Sequence, residues 1–165
     1  QRGFFVETFR QDLLKDAGIN DNFVQDNHSR STKGILRGLH YQLTQPQGKL
    51  VRVASGKVFD VAVDVREGSP TFGQSFGIVL DDESMKMMYV PPDFAHGFTV
   101  LSDTADFIYK CTDYYHPASE QSILWNDPEL LIDWPIKEVV LSDKDKRAPL
   151  LRDQLSANLP KYMKV

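Results

Sequence analysis

One cysteine, Cys111, stands in 165 residues. It cannot close an internal disulfide or supply a Cys-rich zinc site, so neither staple holds this chain together. Long hydrophobic runs are missing as well. None approaches the ~18 residues that a membrane span requires, so no membrane partner is expected. Positive charge is short, with 19 Lys and Arg against 23 Asp and Glu and a formal net charge of −4. A nucleic-acid polymer needs a basic stripe to meet its phosphates and is excluded as a partner. One small anion held by a few local cations is not excluded. The sequence has no Gly-x-Gly-x-x-Gly, no Gly-Lys-Ser/Thr phosphate loop and no Gly-x-Ser-x-Gly elbow. It shows no secretory signal, so a cytoplasmic location is expected, and Asn27-His28-Ser29 matches a glycosylation acceptor only formally. Histidine is scarce too, with His28, His40, His96 and His116.

What is present suits an ordinary globular protein. Apolar residues make up 41% and aromatics 11%, which rules out intrinsic disorder. The length fits one domain, read as residues 1–165, and no repeat, linker or low-complexity segment divides it. Leu13, Leu14 and Ala17 form an apolar stripe before Gly18, which predicts a short helix over 11–17. Residues 22–37 are crowded with Asp, Asn, Ser, Arg and Lys and read as a functional loop. From Gly34 the pattern is β. In 57–65, Phe59, Val61, Val63 and Val65 share one face, and Val58, Asp60, Ala62 and Asp64 the other. Both faces carry apolar residues, so this strand is expected to be covered on both sides, and Asp60 then needs a partner. Further β runs at 75–80, 87–90, 97–101 and 105–111, separated by turn signals, indicate a mainly β jelly-roll barrel. A short helix is expected within 149–159, ended by Pro160.

Several polar residues lie in these β runs. In Leu36-Arg37-Gly38-Leu39-His40-Tyr41-Gln42, regular alternation puts Arg37, Leu39 and Tyr41 opposite His40 and Gln42, and Gly38 is expected to leave ligand room beside the imidazole. Lys49 enters an apolar strand. His96 follows an apolar stretch, and Tyr109 lies in a strand. Singly, each reads as readily as packing or a solvated edge. Together they suit proton abstraction beside a carbonyl: an imidazole base, a cation for the developing enolate, a phenol acid and a carboxylate behind the base. The rival use of histidine, a metal set of His40, His96 and Glu120, has no His-x-His motif to support it.

The ordered motifs Phe23–Ser29, Arg37–Gln42, Gln47–Val51, Val58–Asp64, Ser69–Gly73, Phe94–Phe98, Tyr109-Lys110 and Leu141–Asp145 span nearly the whole chain. In them the sequence resembles the dTDP-4-dehydrorhamnose 3,5-epimerases, cupin-fold enzymes of dTDP-L-rhamnose synthesis. The resemblance implies His40 as general base, Asp145 as its paired carboxylate, Tyr109 as general acid and Lys49 against the C4 oxygen. It implies sugar-nucleotide contacts from Arg2, Glu7, Gln25, Asp26, Asn27, Arg37, His96, Glu120 and Lys144, with Tyr115 near the sugar and Asp60 inside the barrel. Arg2 and Arg37 are expected to form the positive patch for the diphosphate. The implied substrate is dTDP-4-dehydro-6-deoxy-D-glucose, with no cofactor and no metal, and the implied assembly is a homodimer. Family members carry an N-terminal strand before Arg-Gly-Phe-Phe, a motif that here stands at residues 2–5, so that strand is expected to be missing from the sheet edge. A single-carbon epimerase, a 3,4-ketoisomerase and a non-catalytic sugar-binding cupin remain the alternatives.

Overall fold

A computed structural model describes residues 2–163. After helix α1 (Gln11–Asp16) come strands β1 (Gln25–Thr32), β2 (Leu36–Gln42), β3 (Lys49–Ser55), β4 (Lys57–Asp64), β5 (Ser75–Asp81), β6 (Met87–Val90), β7 (Phe94–Val100), β8 (Thr104–Cys111) and β9 (Glu120–Ser122), then helix α2 (Asp143–Lys146). Two antiparallel sheets face each other, ordered β1-β8-β3-β6 and β5-β4-β7-β2-β9. This is the expected jelly-roll architecture. Among the described residues, no helix is long and apolar enough to cross a membrane.

The alternation of β4 explains how the layers stack. Val58 and Ala62 face inward and join Val51, Val53, Phe98, Val100 and Phe107 in a core between the sheets. Val61 and Val63 face outward, where Ile123, Leu130, Leu151 and Leu159 of the C-terminal segment cover them. Strand β4 is therefore buried on both faces, as its double apolar pattern predicts. Burying each of the valine, leucine, isoleucine and phenylalanine side chains contributes about 1.5–3 kcal/mol. The inter-sheet core fills only one end of the barrel, and the other end remains open.

Three local expectations are corrected. Residues 22–37 hold a full strand, since β1 pairs with β8 along all eight of its residues. Its inner residues Gln25, Asn27 and Ser29 line a cavity, and its outer residues Asp26, His28 and Arg30 reach charged side chains of β8 on the surface. Neither face needs apolar residues, so the strand carries no hydrophobic alternation. Helix α1 ends one residue before the predicted boundary and buries none of its residues, so its apolar stripe is not a core stripe. In place of a helix over 149–159 there are two 3₁₀ turns, Leu151–Asp153 and Ser156–Asn158.

Asp64 anchors the end of β4. This buried carboxylate accepts hydrogen bonds from the backbone N–H of Arg66 at 3.0 Å, its Nε at 2.9 Å and its Nη2 at 2.8 Å, and from Ser69 Oγ at 2.6 Å and Thr71 Oγ1 at 2.7 Å. Burial alone would raise its pKa, but the donors outweigh burial and hold it well below the usual carboxylate range. A depressed folded-state pKa contributes stability that is present above the unfolded value, about 4, and lost as pH falls through the folded one. Asp64→Ala is therefore expected to cost about 3 kcal/mol at neutral pH in urea unfolding. The gap from the parent should narrow progressively below about pH 4; a gap that does not change with pH would contradict this role.

Candidate active site

The open end of the barrel is a cavity of about 640 Å³ whose lining includes residues from both sheets. β2 carries His40, and its register against β7 runs regularly at Leu36 and Arg37 but shifts before His40. A bulge of this kind puts residues on one face that regular alternation would separate. Arg37 and His40 consequently both line the cavity, which corrects the expectation that they face apart. Gly38 also has a different role from the one expected. A Cβ there would meet the Cα of Gly97 at 2.6 Å and the carbonyl oxygen of His96 at 2.7 Å. The glycine makes room for the β7 backbone, not for a ligand.

His40 Nε2 lies 2.5 Å from Asp145 Oδ1. Asp145 is held inside α2, where Ser142 caps the helix. Ser142 Oγ donates to Asp145 Oδ2 at 2.9 Å and accepts from the Asp145 backbone N–H at 3.1 Å. Both carboxylate oxygens are thus engaged. Burial pushes the Asp145 pKa up, but hydrogen bonds from His40 and Ser142 overcome it, and the net shift is downward. An ionised Asp145 accepts the Nε2–H proton, fixes the tautomer and leaves Nδ1 as the ring's free base.

The four-stranded sheet forms the opposite wall. Tyr109 on β8 has its pKa pushed up to about 12, chiefly by burial, with Glu120 adding and Arg37 opposing. Its hydroxyl therefore keeps its proton through the neutral range. Lys49 on β3 has its pKa lowered because surrounding protein withholds water, while Glu120 and Asp60 pull it back up. Deeper in the barrel, His96 Nε2 lies 2.8 Å from Asp60 Oδ1, and the ring stacks near Phe107 at 6.1 Å between centroids. Asp60 is fully buried, its pKa is raised by that burial against the pull of His96, and its Oδ2 has no hydrogen-bond partner. The partner expected for Asp60 is thus His96.

At the mouth, the Tyr115 hydroxyl donates to Glu120 Oε2 at 3.2 Å, and Lys144 pairs with the same oxygen. Lys144 reaches the site through Glu120, and Asp60 reaches it through His96. Gln25, Asn27, Arg37, Tyr115 and Glu120 line the cavity. Asp26 does not, because it points out of β1 toward Lys110 Nζ at 2.9 Å. Arg2 and Glu7 lie on the exposed N-terminal segment, so within one chain Arg2 does not join Arg37 in the expected patch. Residues overlooked in the sequence include Gln42, Gln47 and Ser142, all on the cavity wall. Ser142 had a legible signal, the Ser-x-x-Asp capping pattern ending at Asp145. His40, His96 and Glu120 do not assemble into a metal set; among the described residues no three His, Cys, Asp or Glu side chains do.

The family model for dTDP-4-dehydrorhamnose 3,5-epimerase matches residues 1–153. A protein of that name from Pseudomonas aeruginosa is 55% identical over 154 residues, 92% of this chain and 85% of its own. A crystal structure of dTDP-6-deoxy-D-glucose-3,5-epimerase from Legionella pneumophila, in complex with dTDP-4-keto-L-rhamnose, superimposes with a TM-score of 0.97 at 57% identity. It covers 99% of this chain and 88% of that one. A 3′-monoepimerase from Streptomyces bikiniensis, in complex with dTDP-quinovose, is more distant, with a TM-score of 0.86 and 36% identity over 94% of this chain and 81% of its own. With both its fold and its sequence matching, the chain belongs to the dTDP-4-dehydrorhamnose 3,5-epimerase family.

Proposed function

We propose that this chain, as one domain, inverts C3 and C5 of dTDP-4-dehydro-6-deoxy-D-glucose to give dTDP-4-dehydro-L-rhamnose. One observation carries the reading. The base, His40, stands on one sheet, and the acid, Tyr109, stands on the other, with a single cavity between them. A sugar ring placed there is open to deprotonation on one face and reprotonation on the other, which inverts the carbon.

The C4 ketone acidifies the hydrogens on both C3 and C5. His40 Nδ1 takes the proton, and Asp145 stabilises the imidazolium that forms. The electron pair moves into the C3–C4 bond, and the carbonyl π electrons move to O4. Lys49 meets that enolate oxygen. Its lowered pKa makes its N–H proton easier to share with the oxygen. Tyr109 then protonates the carbon from the opposite face as the ketone re-forms. Each inversion leaves His40 protonated and Tyr109 deprotonated, and exchange with water resets both. The same steps at C5 complete the reaction, so each inverted carbon acquires one hydrogen from solvent. Turnover in deuterated water, with the label located by NMR, is the test.

Gln25, Asn27, Arg37, His96, Tyr115, Glu120 and Lys144 are assigned to the nucleotide sugar, with Asp60 supporting His96. Arg2 and Glu7 are assigned to the site of a second copy in a homodimer. Phe4 is 77% exposed and Phe5 98%, and apolar surface presented this openly marks an interaction site. Sedimentation equilibrium is expected to give about twice the 18.8 kDa chain mass. Phe5→Asp should shift the population toward monomer. A parent protein that sediments as a monomer at micromolar concentration would overturn the assignment.

A further inference from the structure

We propose that His40 and His96 together bind one zinc-class divalent ion through their free ring nitrogens, and that this ion shuts the enzyme off by occupying the base. The shutting-off rests on the epimerase reading above; the binding does not.

The two histidines are direct cross-strand partners, His40 on β2 and His96 on β7. Partners of this kind project to the same face of a sheet with Cβ atoms about 4.5–5.5 Å apart, and both rings line the one cavity. Each ring is also braced in the same way. His40 Nε2 lies 2.5 Å from Asp145 Oδ1, and His96 Nε2 lies 2.8 Å from Asp60 Oδ1. Both carboxylates are buried. Each brace leaves Nδ1 as the ring's remaining nitrogen. Imidazoles that ligate a metal almost always donate their other N–H to a carboxylate, a carbonyl or water, which fixes the tautomer and raises the basicity of the ligating nitrogen. His40 and His96 carry that outer shell already, side by side. Proton abstraction at His40 requires one braced imidazole; two in register make a chelate.

The donors select the ion. Neutral imidazole suits zinc, copper and nickel, whereas magnesium and calcium want oxygen. Zinc bonds of about 2.0–2.1 Å in a tetrahedral shell put two ligand nitrogens ~3.3 Å apart, a spacing within reach of rings on adjacent strands. Among the described residues no group of three His, Cys, Asp or Glu side chains is placed to hold an ion. Water therefore fills the remaining positions, and the ion exchanges freely. That makes it a reversible inhibitor and not a resident cofactor. With His40 Nδ1 on the metal no base faces the sugar, so ion and sugar exclude each other.

The experiment titrates zinc chloride into the tag-free full chain by calorimetry, with magnesium chloride as the control, and follows the histidine ring nitrogens by NMR. One zinc per chain is expected, with the Nδ1 signals of His40 and His96 shifting together and those of His28 and His116 unmoved. In turnover, zinc should raise the apparent KM for the keto sugar and leave kcat unchanged. Asp60→Asn should weaken zinc binding by about 10–100-fold, the cost of losing a carboxylate behind a ligating imidazole, and His96→Asn by at least as much. Zinc that shifts neither ring, or only one, overturns the proposal, as does magnesium that binds equally well or zinc affinity that is unchanged in a folded His96→Asn protein. The ring spectra of the parent need no variant, so they decide the question even if Asp60→Asn and His96→Asn fail to fold. A chain that binds zinc at both rings but leaves the keto sugar unconverted defeats the epimerase reading alone. A chain that converts the sugar and ignores zinc defeats only this inference.

Discussion

His40→Ala is expected to lower kcat by about 10³–10⁴-fold, the upper range for loss of a positioned general base. Its affinity for dTDP should stay within about threefold of the parent, because the imidazole acts on the sugar carbons and not on the nucleotide. Deuterium exchange at C3 and C5 should disappear together, since the same nitrogen takes both protons. The reason for so large an effect is the anchoring of His40. Asp145 is buried, holds its negative charge and has its second oxygen fixed by Ser142. With Nε2 committed to Asp145 at 2.5 Å, the base has one tautomer and one orientation. Isothermal titration with dTDP alongside turnover separates the outcomes. Parallel losses of binding and turnover would favour a sugar-binding barrel without catalysis.

Tyr109→Phe is expected to behave differently, although its turnover should fall by about 10²–10³-fold. Phenylalanine keeps the ring and removes only the acid. His40 can still take the C3 proton and return a solvent-exchanged one to the same face. Deuterium should therefore enter the substrate at C3 with its configuration retained. This washout without inversion distinguishes loss of the acid from loss of the base. The raised phenol pKa, to about 12, supports the assignment, because the hydroxyl remains a donor throughout the working range. Loss of exchange along with loss of inversion would contradict separate roles for the two residues.

Much of the barrel was legible in the sequence because strands buried on two faces have an unmistakable composition. β4 is the clear case, with valines on both sides and Asp60 standing out among them. β1 was not legible for the converse reason. It has an open cavity on one side and solvent on the other, so it looks like a loop. In the site, His40, Lys49, His96 and Tyr109 attracted notice as polar residues in apolar strands. Asp145 lies 105 positions from His40 in a charged segment, and only the family resemblance picked it out. Local alternation cannot foresee the β2 bulge, because that bulge depends on the close approach of Gly38 to Gly97 across two strands. The hydrogen bonds that Gln25 and Gln42 make to the backbone of residues 114–116 are equally hidden, since they join side chains to a distant loop.

The central claim is that two sheets supply a base and an acid on opposite faces of one sugar, for two carbons in turn. Turnover of dTDP-4-dehydro-6-deoxy-D-glucose in deuterated water, with isotope position and product configuration read by NMR, tests it most directly. The account predicts one deuterium at C3 and one at C5, both carbons inverted, in a product of L-rhamno configuration. Label and inversion at C3 alone would make the chain a single-carbon epimerase, and hydrogen transfer from C3 to C4 a ketoisomerase; either result would contradict the account.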